Sequence, residues 1–146
     1  MKLVMTFVLL LASTGPALAR DPVKFVYFDN FAPYSWKENN RMRGIFIDVV
    51  DEVIRTGMEI PVIHEGYPWR RAQKMVEANA ADAFITVPTP RRREYTLISP
   101  EPVTTIAMTV FTSAKNNKLQ EILKIRFVSD LKAFTAVDYI GNGWAR

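Results

Sequence analysis

Three short segments carry the residues whose types and spacing suit chemistry. Asp29-Asn30-Phe31-Ala32-Pro33-Tyr34-Ser35-Trp36 is dense in aromatics where a plain connection would be polar. Gly66-Tyr67-Pro68-Trp69 opens a helix, and Pro88-Thr89-Pro90-Arg91-Arg92-Arg93 is a turn that brings three guanidinium groups near a helix start. Together they supply what a small zwitterion needs: aromatic faces for an ammonium or apolar body, and a guanidinium with hydroxyl and backbone donors for a carboxylate. An Arg fork matches a carboxylate bidentately and such a bond contributes about 1.5–3 kcal/mol. Micromolar affinity needs about 8 kcal/mol, so several such contacts must cooperate. The candidate ligand-binding residues are therefore Asp29, Phe31, Tyr34, Trp69, Thr89 and Arg92.

Each has a plainer reading. Phe31 and Tyr34 fold onto the core as readily as onto a ligand, and Trp69 is equally suited to anchor its helix. Charge runs are usually solvated, so one arginine of the three is expected to point inward and two to face water. Asp29 can accept an ammonium or cap a turn. His64, the only histidine, lies inside a predicted strand, which favours a structural role over catalysis or metal binding. Neither a metal nor a cofactor is expected.

The elements that position these residues follow from periodicity. Val23 to Phe28 reads as a strand. Phe46, Val49, Val50, Val53 and Ile54 recur at helical spacing, with Asp48, Asp51, Glu52 and Arg55 on the other face and Gly57 as the C-cap. Ile60 to Glu65 makes a second strand. Pro68 suits a first helical turn, and Trp69, Ala72, Met75 and Val76 form the buried stripe of a second helix. Asp82 to Val87 follows as a third strand. This alternation predicts an α/β fold with a mostly parallel open sheet. In such sheets ligands bind beyond the carboxyl ends of the strands, where the three segments lie. Further on, Thr104 to Thr112 reads as a β-rich run, Leu119 to Ile125 as a short helix and Phe134 to Tyr139 as a strand.

Bulk properties bound the function. Lys2, the apolar run Leu3 to Leu11 and Ala17-Leu18-Ala19 form a secretory signal over residues 1–19, cleaved on export. The apolar run is far short of the roughly 20 residues of a spanning helix. Removing the signal lowers the net charge of +4 by one, too mild a balance to imply nucleic acid. Cysteine is absent, so no disulfide, cysteine nucleophile or thiolate metal site is available.

With these residues in place, the chain resembles family 3 of the extracellular solute-binding proteins, the periplasmic polar amino acid receptors of ABC importers, over residues 23 to 144. Phe31 to Tyr34 matches its aromatic-Pro-aromatic loop, and Gly44-Ile45-Phe46-Ile47-Asp48 its Gly-Phe-x-x-Asp helix start. Thr89-Pro90-Arg91-Arg92 is similar to its Thr-Pro-Glu-Arg signature, with Arg91 in place of Glu. Tyr95 to Pro102 resembles its Phe-Ser-x-Pro segment, and Asp130-Leu131-Lys132 the Asp-Leu-Lys that introduces a second lobe. The resemblance implies a type II periplasmic-binding-protein-like fold of two lobes closing on a ligand. In it Phe31 and Trp69 stack on the ligand, Thr89 donates a hydroxyl and Arg92 clamps a carboxylate. The segment from Asp82 to Thr89 is shorter than in well-known amino acid receptors and lacks their Gly-x-Thr, so Val87 and Pro88 cannot supply that hydroxyl.

The expected organisation is a signal over 1–19, a first lobe over 20–104, and a hinge strand with the truncated beginning of a second lobe over 105–146. The expected function is periplasmic capture of a small polar metabolite, an amino acid or related carboxylate, for an ABC permease in the inner membrane, by a protein that is not an enzyme. The complete protein is expected to be a monomer that binds no nucleic acid. A dehydratase or lyase of a small carboxylic acid on the same scaffold, and a ligand-sensing module, are the alternatives.

Overall fold

The computed structural model describes residues 20–107 and 109–137. Residues 1–19, read above as a signal, Tyr139 at the end of the last expected strand, and the Gly141-Asn142-Gly143-Trp144 segment lie outside them. Strand β1 spans Val23–Phe28 as its apolar run predicts, and β5 spans Val62–Tyr67, two residues later than its pattern suggests. The two pair in parallel, with Phe25 opposite His64 and Phe28 opposite Tyr67.

Because side chains alternate along a strand, β1 feeds two cores. Val26 packs with Trp69, Ala72, Val76 and Ala81 on one face, while Tyr27 packs with Met42, Phe46 and Ile47 on the opposite face. Helix α2, Trp69–Glu77, starts after Pro68, which lacks the N–H a first turn cannot use. It ends in a Schellman motif: Asn79 N–H donates to Val76 O and Ala80 N–H to Met75 O, with Asn79 at φ 55.

Between β1 and α1 (Ile45–Val50) the chain does not run as a plain aromatic loop. It forms an antiparallel meander of β2 (Asn30–Phe31), β3 (Ser35–Glu38) and β4 (Arg41–Arg43), with Glu38 opposite Arg41. Asn39 and Asn40, both at positive φ, make the two-residue turn, a backbone that Asn tolerates. The α/β fold with a parallel sheet expected from sequence is present, and an antiparallel meander lies beside its parallel pair. Gly66 lets β4 lie close over β5, because a Cβ there would run into the Met42 side chain and sit 3.1 Å from the Asp29 Cβ.

Details of the individual elements differ from the sequence reading. The α1 helix continues past Val50 not as α-helix but as a π-helical segment, Asp51–Gly57. The wider turn carries Val53 out of the apolar stripe to 52% exposure and turns Asp51 and Arg55 from the outer face toward β5. The left-handed residue after it is Glu59, φ 55, and not Gly57. The third strand is reduced to a single bridge, Phe25 with Ala83. Asp82 holds Lys24 N–H through its side chain at 2.7 Å, and beyond the bridge Pro88 and Pro90 have no N–H for a ladder.

The run Thr104 to Thr112 forms no strand among its described residues, and Phe134 to Val137 forms none either. A β-rich sequence with no strand edge to pair stays irregular. Leu119–Ile122 is helical, shorter than expected, and Asp130-Leu131-Lys132 belongs to a 3-10 turn, Val128–Ala133.

Candidate functional site

The segments after β1, β5 and the Ala83 bridge meet at the carboxyl end of the parallel pair. Asp29 joins the first two: its N–H donates to Tyr67 O at 3.1 Å and its carbonyl accepts from Lys37 N–H at 3.0 Å. Ser35, 2% exposed, donates to Phe28 O at 2.8 Å and closes the meander on β1. The rings then form a ladder. Phe28 stacks on Phe31 at 6.3 Å, Phe31 meets Tyr34 at 5.1 Å, and Tyr34 meets Phe46 at 5.4 Å. The first turn of α1 holds this loop from below, with Ile45 N–H on Pro33 O and Phe46 N–H on Tyr34 O.

The second group sits on the α2 side. Thr89 and Arg92 are buried, at 7% and 4% exposure. Thr89 caps helix α3, Pro90–Arg93, its hydroxyl oxygen accepting from Arg92 N–H at 3.3 Å. The Arg92 guanidinium lies over the Trp69 ring at 5.4 Å, donates from Nε to Gln73 at 3.1 Å and reaches Val87 O at 2.7 Å. Trp69 is 6% exposed and meets Phe84 edge-on at 5.6 Å. Of the three arginines Arg92 alone is buried; Arg91 is exposed and paired with Glu77 at 3.0 Å, and Arg93 is exposed. Losing the Thr89 cap leaves an N–H of α3 without its acceptor, which costs about 0.5–2 kcal/mol. Thr89→Val is therefore expected to lower stability by about 1 kcal/mol in urea unfolding, and no loss would show that the turn holds without the cap.

The structure thus gathers Trp69, Thr89 and Arg92 into one cluster and Asp29, Phe31 and Tyr34 into another. Phe28 connects them, paired with Tyr67 in the sheet, stacked on Phe31 and packed against the Trp69 core. Sequence reading did not single out Phe28, Gln73 or Val87. Gln73 was legible in principle, four residues after Trp69 on the same helical face.

A second polar group lies on the other face of β5. Tyr27 Oη and His64 Nδ1 are 2.9 Å apart, as are His64 Nε2 and Asp51 Oδ1. Arg55 donates to the same Asp51 oxygen at 2.6 Å and to Val62 O at 3.1 Å. Burial alone would raise the Asp51 carboxyl, but the hydrogen bonds and charges of His64 and Arg55 outweigh it and hold the group below its usual 3.8. Burial, helped by the Asp51 charge, pushes the Tyr27 hydroxyl far above its ordinary range. His64 lies between the depressions walled by Lys37, Asn40, Met42 and Glu65 and by Arg41 and Arg55. Among the described residues no cluster of three or more His, Cys, Asp or Glu stands ready to hold a metal ion, and no helix is long and apolar enough to cross a membrane.

No protein-family profile matches the sequence, and neither does any curated protein. The solved structures to which part of the chain is similar include these two. One is the second substrate binding domain of an amino acid ABC transporter from Streptococcus pneumoniae, 20% identical, TM-score 0.44, covering 49% of this chain and 34% of that one. The other is an ancestral cyclohexadienyl dehydratase, 19% identical, TM-score 0.43, covering 50% of this chain and 31% of that one. The chain therefore spans about a third of the length of the structures it matches. The second of them corrects the expectation that the chain is not an enzyme, since an enzyme stands beside a transport protein among the similar structures.

Proposed function

We propose that this chain is a lobe of an exported solute-binding protein, taking a small metabolite with a carboxylate at the carboxyl end of β1 and β5 and delivering it to an ABC permease. The observation that carries this reading is the convergence of the aromatic ladder Phe31–Tyr34 and the Trp69–Arg92–Thr89 cluster on that one end of the sheet, joined through Phe28. A half-buried aromatic supplies apolar area, and a guanidinium whose fork is already oriented by Gln73 and Val87 loses little freedom on meeting a carboxylate. Asp29, at the joint of the two strands, suits an ammonium. Residues 1–19 supply export in this reading.

The test is thermal unfolding of residues 20–146 with a panel of amino acids and small carboxylates. A ligand at 100-fold over its Kd stabilises the native state by about 2.7 kcal/mol and raises the midpoint by several degrees. Phe31→Ala and Arg92→Lys are expected to weaken that ligand by about tenfold or more each, or about 1.4 kcal/mol. Unchanged affinity in both variants would remove the site, and conversion of the carboxylate to product by the unmodified chain would reassign the same cleft to catalysis.

A further inference from the structure

Two arginines of α3 reach helix α2, and α2 meets them with different chemistry. Arg91, which is exposed, pairs with the Glu77 carboxylate at 3.0 Å. Arg92, 4% exposed, meets the Gln73 amide instead, its Nε donating to Oε1 at 3.1 Å. Gln73 and Glu77 are four residues apart, so a single stripe of α2 carries both partners.

A guanidinium only donates, and an amide oxygen or a carboxylate oxygen can accept from it in the same place. The carboxylate also cancels its charge. The amide orients the group and adds no charge. For a cation withdrawn from water an acid is the usual partner, because a buried charge is costly until it is compensated. On α2 the order is reversed: the acid stands beside the solvated arginine and the amide beside the buried one. Val87 O, which accepts from Nη1 at 2.7 Å, and the Trp69 ring, 5.4 Å away, likewise hold Arg92 without formal charge.

We infer that Gln73 makes the site selective for an anion, fixing the Arg92 fork while placing no negative charge of its own beside the carboxylate of a ligand. The inference rests on the ligand site proposed above and names how that site distinguishes a carboxylate from its uncharged analogues. Gln73 is a positioning residue, half-buried on α2, and acts through Arg92.

The probes are amino acids and small carboxylic acids, each paired with its own carboxamide, titrated against the exported chain. The unmodified chain is expected to bind the acid of one pair about tenfold or more tighter than the amide. Gln73→Glu keeps the length of the side chain and its bond to Arg92 Nε, so its unfolding midpoint is expected to be unchanged or raised. It also sets a like charge close to the bound anion, which is costly. Its preference for the acid is therefore expected to fall about tenfold, to near parity. Gln73→Leu removes the acceptor but adds no charge, and is expected to bind both probes more weakly with the preference kept within about threefold. Full preference in Gln73→Glu, or a tenfold loss of it in Gln73→Leu, would overturn the inference while leaving the ligand site standing. Failure of the site itself reads differently, because the unmodified chain then binds no acid of the series, and the inference falls with it.

Discussion

Gly44→Ala is expected to destabilise the chain by about 3–5 kcal/mol, the sum of backbone strain and two weakened hydrogen bonds. Gly44 has φ 122 and ψ 171, a conformation open essentially to glycine alone. Forcing alanine into it costs about 1–3 kcal/mol. The new Cβ also has nowhere to go: it would run into the Tyr34 carbonyl oxygen and lie 2.7 Å from its carbon and 2.9 Å from Pro33 O. These are backbone atoms, so relief means moving the loop. That movement strains Ile45 N–H on Pro33 O at 3.1 Å and Phe46 N–H on Tyr34 O at 3.0 Å, each worth about 1 kcal/mol. Stabilities of domains lie at about 5–15 kcal/mol, so a loss of this size is a large fraction of the whole. Urea unfolding checks it, and a change under about 1 kcal/mol would show that the α1 start does not clamp the aromatic loop.

Trp69→Ala is the second large effect. The ring contacts the core of Val26, Ala72, Val76 and Ala81, stands edge-on to Phe84 and carries Arg92 on its face. Removing it leaves a cavity at the centre of the α2 side, for which Trp→Ala substitutions lose about 3–5 kcal/mol. A further fraction comes from the lost cation–π contact, about 0.5–2 kcal/mol when desolvated. Trp69→Phe keeps an aromatic ring against Phe84 and is expected to cost under half as much. The pair also separates two roles. At 6% exposure the Trp69 ring offers a ligand little surface in this structure, so the affinity of Trp69→Phe, and not of Trp69→Ala, reports ligand contact. Equal stability of Trp69→Ala and the unmodified chain would contradict the core assignment.

What the sequence by itself determined is what short-range periodicity and turn chemistry control. Strand β1 is an apolar run with its ends in place. Helix α2 has Pro68 before its first turn and its apolar residues three and four apart, and Trp69, Ala72 and Val76 are buried as that spacing requires. The turn at Thr89-Pro90 needs only a hydroxyl cap and a proline at the first helical position. Chemistry-bearing residues were legible for the same reason: aromatics and arginines crowd into the connections.

Only the tertiary structure decided the rest, because it depends on partners distant in sequence. A strand needs an edge to pair with, and Asp82 to Val87 finds one for a single residue while Thr104 to Thr112 finds none among its described residues. The meander from Asn30 to Arg43 folds on itself through a turn at Asn39-Asn40 and on β5 through Met42 and Gly66, a contact no local pattern announces. The π-helical turn after Val50 brings Asp51 to His64 and Arg55 to Val62, so residues read as the outer face of the helix turn toward β5 instead. Arg92 and its neighbours Arg91 and Arg93 are chemically identical in sequence. Trp69, Gln73 and the Val87 carbonyl, meeting at one point in space, decide which of the three is buried.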